Sequence, residues 1–337
     1  MMTGDGEARI AAAYADFGRR WARGTSPLYE EWAVGFADAP DLVGWVAGLP
    51  PRMRQPNLIF AAMRWNGCPL DDWASARAWL EQHREVVVDT AAARSTQTNE
   101  PGRCATLLPP LSRVPGPLAL LEVGAAAGLC LFPDRYGYRY DTSAGIRLVP
   151  GPAAVELLCR IDVDEVVPDA LPEVAWRRGI DLSPIDAAEE DAIAWLETLI
   201  WPGPDHERRV RQLRAASAVA AADPPEIITG DLLDHLEDVA ASAPRGATLV
   251  VFHSAVLMYL DPPSRDRFAA LASDLGRRLD RDVVWISNET VGTFSTIDAR
   301  LPPGIDAAGR FVQTVDGVPV ALAGQHGAVY EVAPFRR

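Results

Sequence analysis

The first hundred residues carry apolar positions at helical spacing. Over 8–22 they recur every three to four residues, and Gly24-Thr25-Ser26-Pro27 ends the run. The same spacing predicts short helices over 28–36, 41–49, 57–65 and 71–84, with Pro50-Pro51 closing the second of them. From about residue 117 the pattern changes to short apolar runs bounded by turn residues, at 118–123, 174–180, 226–228, 248–252 and 283–286. Such runs mark buried parallel strands. Helical stretches lie between them, at 187–200, 206–222, 232–241 and 264–279. Strands alternating with helices predict an α/β fold whose mostly parallel sheet is covered on both faces. The end differs. Runs at 309–315, 318–323 and 328–332, with a turn at Asp316-Gly317, predict an antiparallel C-terminal edge.

One stretch departs from the alternation. Residues 136–141 alternate with period two, and a second short segment follows at 153–159. We read a helix directly after Gly128 and then an inserted β-hairpin. The predicted organisation is an N-terminal helical or lid domain over 1–105 and an α/β domain over 106–337, with its insertion near 136–173.

Composition narrows the chemistry. Hydrophobic residues make up 48% and charged residues 23% of the 337 positions, the mix of a soluble globular chain. No apolar run approaches the ~18 residues of a membrane span. The first residues resemble neither a secretory signal nor an Arg-rich transit peptide, so a cytoplasmic location is expected. Net charge is −14, a surface that repels a phosphate backbone. Arg208, Arg209, Arg211 and Arg214 are read as a solvated helix face, so no nucleic-acid partner is expected. The sequence contains no lysine. That excludes a pyridoxal-phosphate Schiff base, a P-loop and a protein kinase. Cys68, Cys104, Cys130 and Cys159 form no CxxC pair, and no HExxH occurs, so no metal site is expected. Six of the ten tryptophans lie in the N-terminal helices. They are read as packing or as the lid of an apolar pocket.

The informative string is Glu122-Val-Gly124-Ala-Ala126-Ala-Gly128, which follows a buried strand. A dinucleotide fingerprint, G-x-G-x-x-G/A, would place its third small residue at Leu129, where a leucine obstructs helix–strand packing. Small residues at 124, 126 and 128, with an acid two before the first, instead resemble the (E/D)-x-G-x-G-x-G loop of Rossmann-like S-adenosylmethionine-dependent methyltransferases. Ala126 replaces the middle glycine.

That resemblance implies a Rossmann-like methyltransferase sheet over about 117–337, less the insertion, and S-adenosylmethionine as cofactor. It implies cofactor contacts from Glu122, Gly124, Ala126 and Gly128. Asp181 at the end of the second core strand would hold the ribose, with Asp186 in reserve, and Asp231 after the third would hold the adenine. His253 and Ser254 end the fourth strand, beside the departing methyl group. The polar segment 94–103 would cap the amino-acid end of the cofactor. Arg94 or Arg103 would fork its carboxylate, while Asn99 and Glu100 would face the substrate. The alternative is an ordered polar joint. His253 is the candidate general base, Tyr259 bounds the methyl group, and Glu289 is a second candidate base. The (D/N)-P-P-(Y/F) motif of amine and nucleic-acid methyltransferases is absent, since the corresponding string is Phe252-His253-Ser254-Ala255.

Over nearly its whole length the chain also resembles a bacterial domain family of unknown function, frequent in actinobacteria. Ser26-Pro-Leu-Tyr29, the 94–103 segment, the Glu122–Gly128 loop with Asp134-Arg-Tyr136, and Trp176–Asp181 carry that likeness. Together these readings give a methyltransferase acting on a small, fairly apolar molecule. The alternatives are a non-catalytic methyltransferase-like scaffold, or a protein using the same cofactor for a reaction other than methyl transfer. The oligomeric state is not legible in the sequence.

Overall fold

The computed structural model describes residues 3–152, 154–307 and 309–335. The chain divides into two compact units, one of residues 1–98 and 191–211, the other of residues 99–190 and 212–337. In chain order the longer helices are α1 (Thr3–Asp16), α2 (Pro27–Ala37), α3 (Pro40–Ala47), α4 (Pro56–Trp65), α5 (Trp73–Ala93), α6 (Cys104–Leu111), α7 (Glu190–Leu199), α8 (His206–Ala222), α9 (Leu232–Ala241) and α10 (Pro262–Leu279); α11 (Ser295–Asp298) is a single turn.

The first unit is helical because its starts and stops are written locally. Proline occupies the first turn of α2, α3 and α4, where its missing N–H costs nothing. The Ser26 hydroxyl accepts from the Tyr29 amide and caps α2. The tryptophan-rich pattern is packing in part. Trp32 is fully buried, and Phe60 meets it and Tyr14 edge-on. Tyr14 stacks on Phe36 at 4.3 Å. Arg64 ties α4 to the end of α7, donating to the carbonyls of Thr198 and Ile200 at 2.6 and 2.7 Å.

The second unit holds one eleven-stranded mixed sheet. Its strands are β1 (Leu118–Val123), β2 (Gly137–Thr142), β3 (Gly145–Val149), β4 (Glu156–Ile161), β5 (Val174–Asp181), β6 (Glu226–Thr229), β7 (Thr248–Ser254), β8 (Val283–Glu289), β9 (Arg310–Val315), β10 (Val318–Gly324) and β11 (Val329–Glu331). They lie in the order β3-β2-β4-β11-β10-β9-β8-β7-β1-β5-β6. The half β6-β5-β1-β7-β8 is parallel throughout. In this half the chain runs outward from β1 to β5 and β6, then returns to the other side of β1 for β7 and β8. That reversal is a doubly wound switch point. Strand β9 then runs antiparallel to β8, and β10 and β11 continue antiparallel, as the C-terminal runs predict.

Two elements differ from the sequence reading. The insertion is three strands, not a hairpin alone. β4 pairs parallel with both β2 and β11, so the insertion extends the main sheet. Its second segment begins at Glu156; Ala153 lies outside the described residues. No α-helix follows Gly128. The chain makes only a three-residue 3-10 turn, Leu129–Leu131. Pro133 explains the stop, since a proline pushes the residue before it out of helical geometry, and Phe132 sits at φ −116°. Leu129, Cys130, Leu131 and Phe132 are all buried and leave no polar face for a surface helix.

Strand alternation sorts the sheet into two faces. Leu121, Val251 and Trp285 face α9 and α10, packing with Leu236, Phe268 and Leu275. The other face carries a polar row: Glu122, Ser254, Asn288 and Gln313. Segment 99–111 borders that row, and Gln313 Nε2 donates to the Thr106 carbonyl at 2.9 Å.

Candidate functional site

The carboxyl ends of β1 and β7 frame the switch point, where open α/β sheets place their ligands. Beyond β1 the backbone enters the left-handed region at Gly124 (φ +73°), Ala126 (+51°) and Gly128 (+70°). At Gly124 a side chain is excluded twice, since a Cβ there would also overlap Val256 on the loop after β7. The loop is fastened to β5. The amide of Gly124 donates to Ile180 O at 2.8 Å, and the amide of Ala126 donates to Asp181 Oδ2 at 2.8 Å. Asp181 Oδ1 accepts from the Ser183 amide, also at 2.8 Å. Asp181 thus reaches the loop, with both carboxylate oxygens on backbone amides. Asp231 is exposed and caps α9, accepting from the Leu233 amide at 2.8 Å.

Glu122 is 4% exposed, and its Oε2 has no hydrogen-bond partner. Burial pushes its carboxyl well above the usual range. Cys130 and Asp181 push the same way, and Arg103 opposes them. The carboxyl therefore keeps its proton to higher pH in the folded chain than in the unfolded one. Arg103 spans the gap to other elements, donating from Nε to Gln325 O at 3.0 Å and from Nη1 to Ser254 O at 3.1 Å. Asn99 is buried and accepts the Leu129 amide on Oδ1 at 2.9 Å, which supports the turn after Gly128. Glu100 is buried, with Oε2 3.8 Å from Nδ1 of His326 on the β10–β11 turn. The structure therefore gathers Asn99, Glu100, Arg103, Glu122, the glycine loop and Asp181 along one end of the sheet. Arg94 belongs to the first unit. There it pairs with Asp191 at 2.7 Å, with Trp65 and Trp195 beside its guanidinium.

His253 lies on the opposite face of β7 from Ser254 and is fully buried. Trp285 Nε1 donates to its Nε2 at 3.1 Å. An indole N–H only donates, so Nε2 accepts and the ring proton sits on Nδ1. Nδ1 then donates to Glu289 Oε1 at 2.8 Å. The same carboxylate oxygen accepts the amides of Val256 and Leu257 at 3.0 and 3.1 Å. Both ring nitrogens of His253 are committed inside the protein, and Glu289 anchors the loop after β7. Ser254 Oγ accepts from Asn288 Nδ2 at 3.2 Å, while Asn288 Oδ1 is buried without a partner. Tyr259 is 68% exposed and stands on that same loop.

Sequence reasoning missed Val256, Trp285, Asn288 and Gly179. Gly179 is required because a Cβ there would strike Ala125. Its only signal was a glycine inside a strand, which marks close backbone approach. Val256 and Asn288 had none. Among the described residues, no three of His, Cys, Asp and Glu gather as a metal site, and no helix is long and apolar enough to cross a membrane.

Fold and site together define an α/β protein with a doubly wound half-sheet and a left-handed, glycine-bounded turn at its switch point. The chain belongs to the bacterial family DUF2332, described as an uncharacterized protein conserved in bacteria, which it matches over residues 11–331. No curated protein and no solved structure matches it.

Proposed function

We propose that this chain binds S-adenosylmethionine at the β1–β7 switch point and transfers its methyl group to a small molecule. The observation that carries the reading is Glu122, a buried carboxyl with an oxygen free of donors, two residues before the left-handed turn at Gly124. The surroundings favour a phosphate-free, cationic ligand over a dinucleotide. The carboxylates of Glu100 and Asp181 repel phosphate. The turn also opens into three residues of 3-10 helix, not the aligned amides that hold a pyrophosphate. In this reading Arg103 offers Nη2 to the carboxylate of the cofactor, since its Nε and Nη1 serve Gln325 and Ser254.

Methyl transfer from a sulfonium draws on positioning. With His253 committed to Trp285 and Glu289, the reading fits an acceptor that is already nucleophilic near neutral pH and needs no base. Tyr259 and Met258, both exposed after β7, offer that acceptor apolar contact.

A second reading, a non-catalytic scaffold, is favoured by Val256 standing over Gly124 and by Asp181 turned onto the Ala126 amide. Calorimetric titration with S-adenosylmethionine and S-adenosylhomocysteine separates the two. Heat that weakens in Glu122→Gln supports the binding reading. No heat at about 1 mM ligand, where even about −4 kcal/mol registers, leaves the scaffold. If ligand binds, mass spectrometry for S-adenosylhomocysteine against other cleavage products tests methyl transfer itself.

A further inference from the structure

Strand β8 begins at Val283 and ends at Glu289, so its first residues lie about 16 Å from the switch-point end of the sheet. At that first end, inside the second unit, a cleft of about 300 Å³ runs between the end of α6, the segment leading into β1, and strands β8 to β11. Its walls are apolar. Val114, Val284, Val315 and Val320 line it and are left half-buried, apolar surface that the fold itself does not cover. Pro109 and Pro110 line it too, and a proline has no backbone N–H to turn inward.

Three lining residues carry polar side chains, Arg113, Asp316 and Tyr330. The Tyr330 hydroxyl donates to Gln313 Oε1, so its proton is spent. Asp316 is exposed in the β9–β10 turn, and its Oδ1 accepts the Trp285 amide at 2.8 Å. The guanidinium of Arg113 makes no hydrogen bond or ion pair with the described residues. Burial pushes the Tyr330 phenol up and Arg113 opposes that shift, so the guanidinium stands within electrostatic reach of the cleft wall.

From this geometry we propose that the cleft binds a small carboxylate with an apolar tail, its head on Arg113 and its tail along the valines. The walls favour hydrocarbon over water. The unpaired guanidinium favours an anionic head, and its fork matches a carboxylate. The volume equals that of about ten waters, which suits a chain of about eight carbons and is too small for a long-chain fatty acid. Clefts of this size with apolar walls and one or two placed polar groups are the common form of small-molecule sites. The cleft shares no residue with the switch point, so the site is independent of the methyl-transfer reading.

Calorimetric titration of the full chain with octanoate, octylammonium and acetate, at one ionic strength, tests this. Octanoate is expected to bind at one site with a Kd of about 0.1–1 mM. Octylammonium reverses the charge and acetate lacks the tail, so neither should give saturable heat. In Arg113→Gln, a change at an exposed position, octanoate should bind at least about tenfold more weakly. Val284→Phe, which fills the cleft and keeps Arg113, should weaken it as well. No octanoate heat from the native chain overturns the proposal. Octylammonium binding as tightly as octanoate overturns it too, by placing the head group at Asp316. Octanoate affinity unchanged in Arg113→Gln does the same, by placing the ligand elsewhere.

Discussion

Asp181 and Ala126 are joined by a 2.8 Å hydrogen bond from backbone amide to carboxylate. The last residue of β5 thereby holds the turn that leaves β1 in its left-handed course. Ala126 pays about 1–2 kcal/mol for a positive φ, and the bond helps offset that strain.

Removing the bond should loosen the turn. In Asp181→Asn one of the two amides facing the side chain meets an NH2 group instead of an oxygen. We expect a loss of about 1–3 kcal/mol in urea unfolding, with faster hydrogen exchange at Ala126 and Ser183. Unchanged exchange at both amides would show that Asp181 does not hold the turn.

Gly124 and Val256 should be energetically coupled. Gly124→Ala meets both a positive φ and the Val256 side chain, and a loss of about 2–4 kcal/mol is expected. Val256→Ala should restore part of it, giving a coupling of about 1 kcal/mol or more in a double-mutant cycle. Simple additivity would mean the two loops do not touch. The larger Gly124→Val is a poor probe of ligand binding, because it strains the fold itself.

His253 should exist as the Nδ1–H tautomer. Long-range nitrogen–proton correlation spectra will show Nε2 unprotonated if the Trp285 bond forms as described. His253→Phe removes partners from both Trp285 and Glu289 and should cost about 2–4 kcal/mol. A protonated Nε2 at neutral pH would contradict the arrangement.

Glu122 gives the chain a pH signature. Its folded carboxyl holds a proton well above the unfolded value of about 4.3. Above that pH the unfolded chain binds fewer protons than the folded one, so stability falls as pH rises. The slope is about 1.4 kcal/mol per pH unit until the folded carboxyl ionises. Glu122→Gln has no proton to lose. Its stability relative to the native chain should therefore improve as pH rises above the unfolded value of about 4.3 in denaturant titrations. Parallel curves would assign the native pH dependence to other groups.

Much of the architecture was legible because it is written locally. Prolines and Ser26 start the N-terminal helices, and runs such as Leu118–Val123 are nearly all apolar because both faces of the strand are buried. Alternation of these runs with helices fixed the parallel half-sheet, and the closing runs fixed its antiparallel edge. The glycines at 124 and 128 declared a tight turn with no room for a side chain at either position. Other features depended on residues far apart in the chain. The helix expected after Gly128 failed because Pro133 and an all-buried Leu129–Phe132 run outweigh the pattern before them. The insertion's third strand became part of the main sheet only because β11 offers it a parallel edge. The histidine that reads as a base in one dimension is closed off by Trp285 and Glu289, 32 and 36 residues away. Periodicity and turn chemistry act over a few residues, so the sequence alone determined the elements and their alternation. Which polar atoms find partners depends on strands meeting across the sheet, and only the tertiary structure decided that Glu122 and Glu289 each keep an oxygen unsatisfied.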